Sequence, residues 1–411
     1  MRILIIVDTY VPARISAALQ MHDLAIEFAR QGHQPTVVVP APELNRSWTI
    51  ENLDGVEVLR VKAFRTKDIG YVRRVLAELL LPFLLYRGLL RSPLAKESWS
   101  GVIWYSPTIF LGPMVHRLRR RLGIRSYLIL RDLFPDWAVD AGIMRRGLAY
   151  RFFKQIERYQ YQIADVIGVQ TPSNVPLVKA TATRGNPRIE VLDNWLSDLI
   201  DAECPVSLQE TPLAGKTVFV YAGNMGAAQG MDCLLELAED LRDRNDTGFL
   251  FVGRGSEVER LREYANSHDL RHVMFMDEID SKSIPGLLAQ CHVGLIALDP
   301  RHTTHNIPGK LLTYLRAGLP VLARINAGND LKQIIDTEGV GYVCVGDAQH
   351  QLSKLAERLL DSPELRSQMA HRGKELAERR YSSASAVSRI VAALRSVNSK
   401  YVIDVNPTGR P

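Results

Sequence analysis

Twice along the chain, short runs of β-branched and aliphatic residues alternate with amphipathic segments, and no other feature constrains the fold as tightly. The first series opens with ILIIV (Ile3 to Val7) and continues with ALQMHDLAIEFARQG, where Leu19, Leu24, Ile26 and Phe28 give an apolar face and Gly32 closes the helix. PTVVVP follows, then GVIWY, SYLIL and ADVIGVQ, with helix-patterned sequence between them. A second series begins at TVFVYAGNMG and runs through GMDCLLELAEDLRD, FLFVGRG, SEVERLREYANSH, VMFMD, KSIPGLLAQC, VGLIAL and GYVCV. Strands that are apolar throughout and separated by helices predict an α/β fold with parallel sheets covered on both faces. Two doubly wound domains in tandem are therefore expected, and 411 residues suit two cores of roughly 150 to 200 residues each. The polar, aperiodic segment DNWLSDLIDAECPVSLQETPLAGK separates the two series, so a linker is expected within 196–216. The expected domains are 1–200 and 201–380, with a terminal helix over 381–398 crossing back to the first domain.

Hydrophobic residues make up 46% and charged residues 23% of the chain, which excludes wholesale disorder. Cys204, Cys233, Cys291 and Cys344 lie far apart with no C-x-x-C pair, so neither a zinc knuckle nor a disulfide framework is expected, and a reducing cytosol fits. The start, MRILIIVDTY, has only a strand-sized apolar run ending at Asp8 and lacks the pattern of a secretory signal. The net charge is +6, with the densest basic clump at HRLRRRLGIR (His116 to Arg125), yet no nucleic-acid-reading motif accompanies it and no nucleic acid partner is expected. RRVLAELLLPFLLYRGLLR (Arg73 to Arg91) sets leucines and aromatics between arginines and is interrupted by Pro82. It is too short and broken to span a bilayer, which needs about 20 apolar residues. Two readings stay open: an interfacial segment whose Arg73, Arg74, Arg87 and Arg91 meet anionic headgroups, or a buried helix pair of the first domain.

Ligands of open parallel sheets bind outside the carboxyl ends of the strands, so the informative residues follow each strand. YAGNMGAAQG offers Gly223, Gly226 and Gly230 at a strand-to-helix turn, where the backbone can approach an anionic phosphate. FVGRGSE repeats the device with Gly253, Arg254 and Gly255, and IPGKLL supplies Gly309 and Lys310 at a helix start. A Walker loop, a G-x-G-x-x-G after the first strand and a G-x-S-x-G are all missing, which disfavours classical NAD binding and nucleotide triphosphate hydrolysis of the P-loop kind. His302 and His305 lie close together, but no further ligands complete a metal site.

These three glycine-marked loops, GNMGAAQG, FVGRGSEVERL and NIPGKLLTYLRAGLPVLA, resemble the donor-binding domain of family 4 of the retaining, nucleotide-sugar-dependent glycosyltransferases of the GT-B fold. The first half is similar to the same family at VPARISAALQMHDLAIEFARQGHQPTVV, RDLFPDWAVDAGIM and IEVLDNWLSD, so the resemblance spans roughly residues 1 to 395. More narrowly, GNMGAAQG, RDLFPD and IPGKLLTY look like the bacterial O-antigen and capsule enzymes that transfer L-fucosamine (N-acetylfucosamine).

The resemblance implies two Rossmann-like domains facing across a cleft, an acceptor-binding domain first and a nucleotide-sugar domain second. Where the family carries an Arg and a Lys that hold the diphosphate, this chain has Asn224 and Gln229, which leaves backbone amides, Arg254 or Lys310 to neutralise it. The family's two glutamates, eight positions apart, correspond to His305 and Thr313: the first would contact the donor sugar and the second a ribose hydroxyl. A family His-Asp pair reads Arg131-Asp132 here, with Asp132 the candidate to orient or deprotonate the acceptor hydroxyl and Asp136 the runner-up; capping of the next helix, or pairing with Arg131, is the competing role for Asp132. The expected donor-binding set is thus Gly223, Asn224, Gly226, Gln229, Arg254, Gly309, Lys310 and Thr313; the catalytic pair is Asp132 and His305; and Arg131 and Asp136 serve the acceptor. The implied activity moves a sugar from a nucleotide carrier, a UDP-sugar, to a polyprenyl-diphosphate-linked sugar in bacterial surface polysaccharide assembly, on the inner face of the cytoplasmic membrane. It requires no metal or other cofactor. A GT-B-fold sugar-nucleotide epimerase or hydrolase, and a non-catalytic nucleotide-sugar-binding partner, are the competing expectations.

Overall fold

The first strand, β1 (Arg2–Ile6), is buried at every residue after Arg2, as a strand must be when sheet neighbours flank it and helices cover both faces. The computed structural model describes residues 1–13, 15–67, 69–140, 142–196, 204–299, 307–346 and 349–396. Among these the chain divides into two units, Met1–Asp193 with the helix Ser383–Ser396, and Asn194–Ser382.

In the first unit β1 pairs in parallel with β2 (Gln34–Pro40), beyond which lie β3 (Trp48–Leu53) and β4 (Val56–Val61). On its other side β1 pairs with β5 (Gly101–Ser106), followed outward by β6 (Arg125–Leu130), β7 (Val166–Val169) and β8 (Arg188–Val191). The order is β3-β4-β2-β1-β5-β6-β7-β8, parallel except for the β3–β4 hairpin. Asp54 (φ 51°) and Gly55 (φ 82°) close that hairpin, the two left-handed residues a tight two-residue turn demands. Helix Ser383–Ser396 belongs to this unit because its Ala386, Val387, Ile390 and Leu394 are buried, with Leu394 lying over Gly101 of β5.

The second unit orders its strands β11-β10-β9-β12-β13-β14, all parallel: β9 (Thr217–Ala222), β10 (Thr247–Val252), β11 (Val273–Met276), β12 (Val293–Ala297), β13 (Val321–Ile325) and β14 (Gly341–Val345). Alternate residues of β9 feed opposite layers, Val218 and Val220 one core and Phe219 and Tyr221 the other. Leu208 and Leu213 are buried in this unit, so that part of the expected linker is packed structure. In both sheets the strand order reverses beside the first strand, between β1 and β5 and between β9 and β12, and such a reversal opens a crevice at the carboxyl ends.

Of the two readings of 73–91, the helix pair is not what forms: the segment is one helix, Tyr71–Arg91, continuous through Pro82. One face of it is buried through Ala77, Leu81, Leu85 and Leu89, which holds the helix against the sheet despite the hydrogen bond that Pro82 cannot donate. The opposite face leaves Val72, Leu76, Leu80 and Phe83 exposed. Among the described residues no helix is long and apolar enough to cross a membrane.

Candidate functional site

At the crevice of the second unit, the loop after β9, the loop after β10 and the helix Gly309–Ala317 that follows β12 enclose a cavity of about 400 Å³. The two loops touch backbone to backbone. A Cβ on Gly253 (φ 140°) would sit 2.1 Å from the Gly223 carbonyl oxygen, and one on Gly255 (φ 159°) 2.2 Å from that of Met225, so neither position admits a side chain. The Gly223 amide donates to Val252 O and the Met225 amide to Arg254 O, both at 2.8 Å. Those two amides are therefore committed within the fold, and less of the loop backbone remains for a phosphate than the glycine pattern implied.

Tyr314 anchors the helix. Its ring lies against Gly294 of β12, where any Cβ would approach it to 2.4 Å, and its hydroxyl accepts from the Ala222 amide at 2.9 Å. One turn earlier on that helix Lys310 points into the cavity, its Nζ 4.6 Å from the centre of the Tyr221 ring, and Gly223 leaves the room it needs. Burial alone pushes the Lys310 ammonium down to about 8, because no carboxylate pairs with it among the described residues. Arg254 lines the same cavity but is exposed and ion-paired with Glu278 at 3.2 Å. Among the described residues, Lys310 is thus the cavity cation that no carboxylate pairs with.

Gly223, Asn224, Arg254, Lys310 and Thr313 all line this cavity, brought together from three separate loops. Gly226 and Gln229 stand in the same loop outside the lining, with the Gln229 amide oxygen accepting from Asn224 Nδ2 at 3.3 Å. Gly309 begins the helix, and beyond its chain neighbours and the helix backbone no described residue lies within 4 Å of where a Cβ would go. Thr313 turns its hydroxyl back to the Gly309 carbonyl at 3.4 Å. His305 lies outside the described residues.

The first unit has its own recess at the carboxyl ends of β1, β2 and β4, about 660 Å³ in volume. Its most telling lining residue is Asp8, two residues past β1, whose Oδ1 is buried without a hydrogen-bond partner among the described residues. Burial raises the Asp8 carboxyl pKa, the Lys67 charge opposes, and Glu78 adds to the rise. Tyr105 at the end of β5, pushed up to about 12 chiefly by burial, feels the charges of Asp132 and Asp8 as well as of Arg131. The sheet order β1-β5-β6 explains this, because it places residues 8, 105 and 131–132 on adjacent strand ends. Asp8 and Tyr105 were missed from sequence; an acid immediately after the first strand of a doubly wound domain was the available signal.

Asp132 is reached by solvent, yet the surrounding protein desolvates it enough to raise its carboxyl pKa against the pull of Arg131. Arg131 itself is buried and donates to the carbonyls of Leu192 at 2.6 Å and Asp193 at 3.3 Å. Those contacts bind the end of β8 and the exit of the first unit, so the guanidinium serves the chain path and not a surface. Asp136 accepts from Tyr150 Oη at 2.7 Å and from Lys154 Nζ at 2.6 Å, which ties it to the helix Leu148–Ile163.

Residues 208–376 match the family model described as glycosyl transferases group 1. WbjE of Pseudomonas aeruginosa, named as a glycosyltransferase, is 24% identical over 291 residues, 69% of this chain and 71% of that protein. WcaI of Escherichia coli K12, named as a colanic acid biosynthesis glycosyl transferase, is 24% identical over 365 residues, 84% of this chain and 88% of that one. Among solved structures, sucrose-phosphate synthase from Thermosynechococcus elongatus superposes with a TM-score of 0.71 at 15% identity, over 97% of this chain and 99% of that one. HepE of Anabaena, solved in complex with UDP, superposes with a TM-score of 0.64 at 13% identity, over 96% and 100%. The chain has the GT-B fold and is a glycosyltransferase, with residues 208–376 matching the group 1 glycosyl transferase model.

Proposed function

We propose that the chain transfers a sugar, with retention at the anomeric carbon, from a UDP-sugar held in the second unit to a polyprenyl-diphosphate-linked sugar in bacterial surface polysaccharide assembly. The observation that carries this reading is Lys310: an ammonium with no acid partner among the described residues, in a cavity at the strand reversal, is a site made for an anion. The UDP complex of HepE and the colanic acid role in the name of WcaI support a nucleotide-sugar donor and a polysaccharide product. N-acetyl-L-fucosamine as the sugar rests on the resemblance of the three donor loops.

In the reaction, the bond from the anomeric carbon to the diphosphate oxygen breaks while a bond to the acceptor oxygen forms on the same face. Lys310 neutralises the charge that grows on the departing diphosphate, work done best by a cation fixed in place before the reaction. Arg254 and the first amides of helix Gly309–Ala317 assist, and Thr313 takes a ribose hydroxyl. Asp8 accepts a hydrogen bond from the attacking hydroxyl and draws off its proton, with Asp132 the second carboxylate on that sheet edge. The enzyme works at the inner face of the cytoplasmic membrane, where exposed Val72, Leu76, Leu80 and Phe83 would enter the interface.

Incubation with UDP-, GDP- and dTDP-sugars, with and without a polyprenyl-diphosphate monosaccharide, followed by mass measurement of nucleotide release and lipid extension, tests the reading. Acceptor-dependent release of UDP is expected; epimer formation or hydrolysis that ignores the acceptor would sink it. Gly309→Ala adds a further check. Beyond the adjoining helix backbone no described residue lies within 4 Å of the new methyl, so the melting temperature should hold, while a phosphate approaching the helix start would meet it and bind roughly tenfold more weakly, as loss of a charge-assisted contact implies. Unchanged UDP affinity in this variant would remove the helix start from the donor site.

A further inference from the structure

A second cavity in the first unit, about 520 Å³, runs between the end of β4 and the helix Tyr71–Arg91. Its existence follows from Gly88. A Cβ at that position would lie 2.5 Å from a Val61 methyl, so the helix rests directly on β4 there. Lys62 follows the contact on the strand side, and Arg87 and Arg91, one helical turn apart, flank it on the helix side. Among the described residues no carboxylate lines this groove. Lys62, Arg87 and Arg91 make no ion pair among the described residues, whereas Arg65 beside them is neutralised by Glu43 at 2.6 Å. Val61, Phe64 and Leu84 give the groove apolar walls.

Two continuities decide what such a groove would hold. Pro42, Phe64 and Arg65 line both this groove and the recess that contains Asp8, so the two cavities adjoin. Along the helix, Leu76, Leu80, Phe83, Arg87 and Arg91 recur at helical spacing, so one face is apolar in its first part and cationic in its second. A ligand suited to all three surfaces has a polar ring for the Asp8 recess, a phosphate group for the cations and an apolar chain for the helix face.

Resting on the function proposed above, we infer that the groove of Lys62, Arg87 and Arg91 binds the diphosphate of the lipid-linked sugar acceptor. The three cations supply charge where a diphosphate must be desolvated, and arginine forks match its paired oxygens. Acceptor choice is then made in two places, by the sugar at Asp8 and by the diphosphate at this groove.

The test compares the full chain with its Arg87→Ala/Arg91→Ala variant by flotation on three kinds of phosphatidylcholine vesicle: plain, doped with polyprenyl diphosphate, or doped with phosphatidylglycerol at matched charge. Wild type should bind the polyprenyl diphosphate vesicles about tenfold more tightly than the phosphatidylglycerol ones, and the double variant should lose that preference. Inorganic pyrophosphate should compete in wild type only. Arg87→Lys/Arg91→Lys should retain part of the preference, and all variants should keep wild-type UDP affinity and melting temperature. Equal binding of wild type to both doped vesicles would make the groove a general contact with anionic lipid and overturn the inference, as would a preference that survives in the alanine variant. Flotation requires no turnover, so wild-type preference without sugar transfer would sink the proposed reaction and leave the groove's role standing.

Discussion

Lys310→Met is expected to weaken UDP binding by about 10- to 100-fold while raising the melting temperature of the unliganded protein, the size expected for one charge-assisted contact of roughly 1.5–3 kcal/mol. The two effects share one cause. The ammonium lies against the Tyr221 ring with no carboxylate beside it among the described residues, and burial alone pushes its pKa down to about 8. Because the folded value is below the unfolded one, the protonated lysine opposes folding; that cost is complete below pH 8 and is relieved as the pH rises toward the unfolded pKa. Removing the charge should therefore stabilise the free protein by on the order of 1 kcal/mol, a figure reduced for the part of the side chain that water still reaches. Binding reverses the balance, since a diphosphate holds the proton on the amine. Wild-type affinity should be flat below pH 8 and fall as pH rises above it, and the variant should show no such slope. Calorimetric titration with UDP from pH 7 to 9.5 measures this, together with thermal denaturation. A variant that binds UDP as tightly as wild type would show the lysine to be packing and not a ligand contact. This is a case of stability given up at a site for function.

Much of the fold was legible because parallel strands buried on both faces leave uninterrupted apolar runs, as β1, β5, β6, β9, β10 and β12 do. The edge hairpin was not, since WTIENL and VEVLRV mix charged with apolar residues. The Asp54-Gly55 dipeptide between them was its signal. Pro82 suggested a break that the buried face of its helix overrides. Lys310 could be read because a lysine beside a glycine at a helix start is a local pattern. Asp8 could not be weighed that way. Its meaning comes from Tyr105 and Asp132, which are distant in sequence and become neighbours only through the strand order. Arg131 shows the opposite failure: adjacent to Asp132, it looked like a ligand contact, yet it is buried and two of its guanidinium nitrogens are given to the Leu192 and Asp193 carbonyls. Sequence adjacency names a candidate, and hydrogen-bond partners decide what remains available to a substrate.

Asp8→Asn should cut the rate of acceptor-dependent transfer by about 10²- to 10³-fold, within the range for loss of a positioned proton acceptor, with UDP affinity unchanged because the donor cavity lies wholly in the other unit. Asparagine keeps the shape and removes the charge, so a loss of rate would report chemistry and not packing. The pH profile separates the roles more sharply. Burial raises the Asp8 pKa above that of an ordinary aspartate, and only the ionised form can accept the hydroxyl proton. Activity should therefore fall with acid through a pKa above the usual carboxylate value, and that acid limb should vanish in Asp8→Asn. The same shift means that stability contributed by the carboxyl is present below the unfolded pKa and lost as pH rises through the folded one. Above that raised pKa the ionised oxygen, which has no hydrogen-bond partner among the described residues, costs stability, so there the variant should melt no lower than wild type. Asp132 has a raised pKa of its own, and Asp132→Asn serves as the matched comparison. If Asp132→Asn abolishes the acid limb while Asp8→Asn retains both the limb and the rate, the proton acceptor is Asp132 and the buried oxygen of Asp8 only positions the acceptor. If each variant alone loses the rate and shifts the limb, the two carboxyls titrate as a coupled pair through the sheet edge they share with Tyr105.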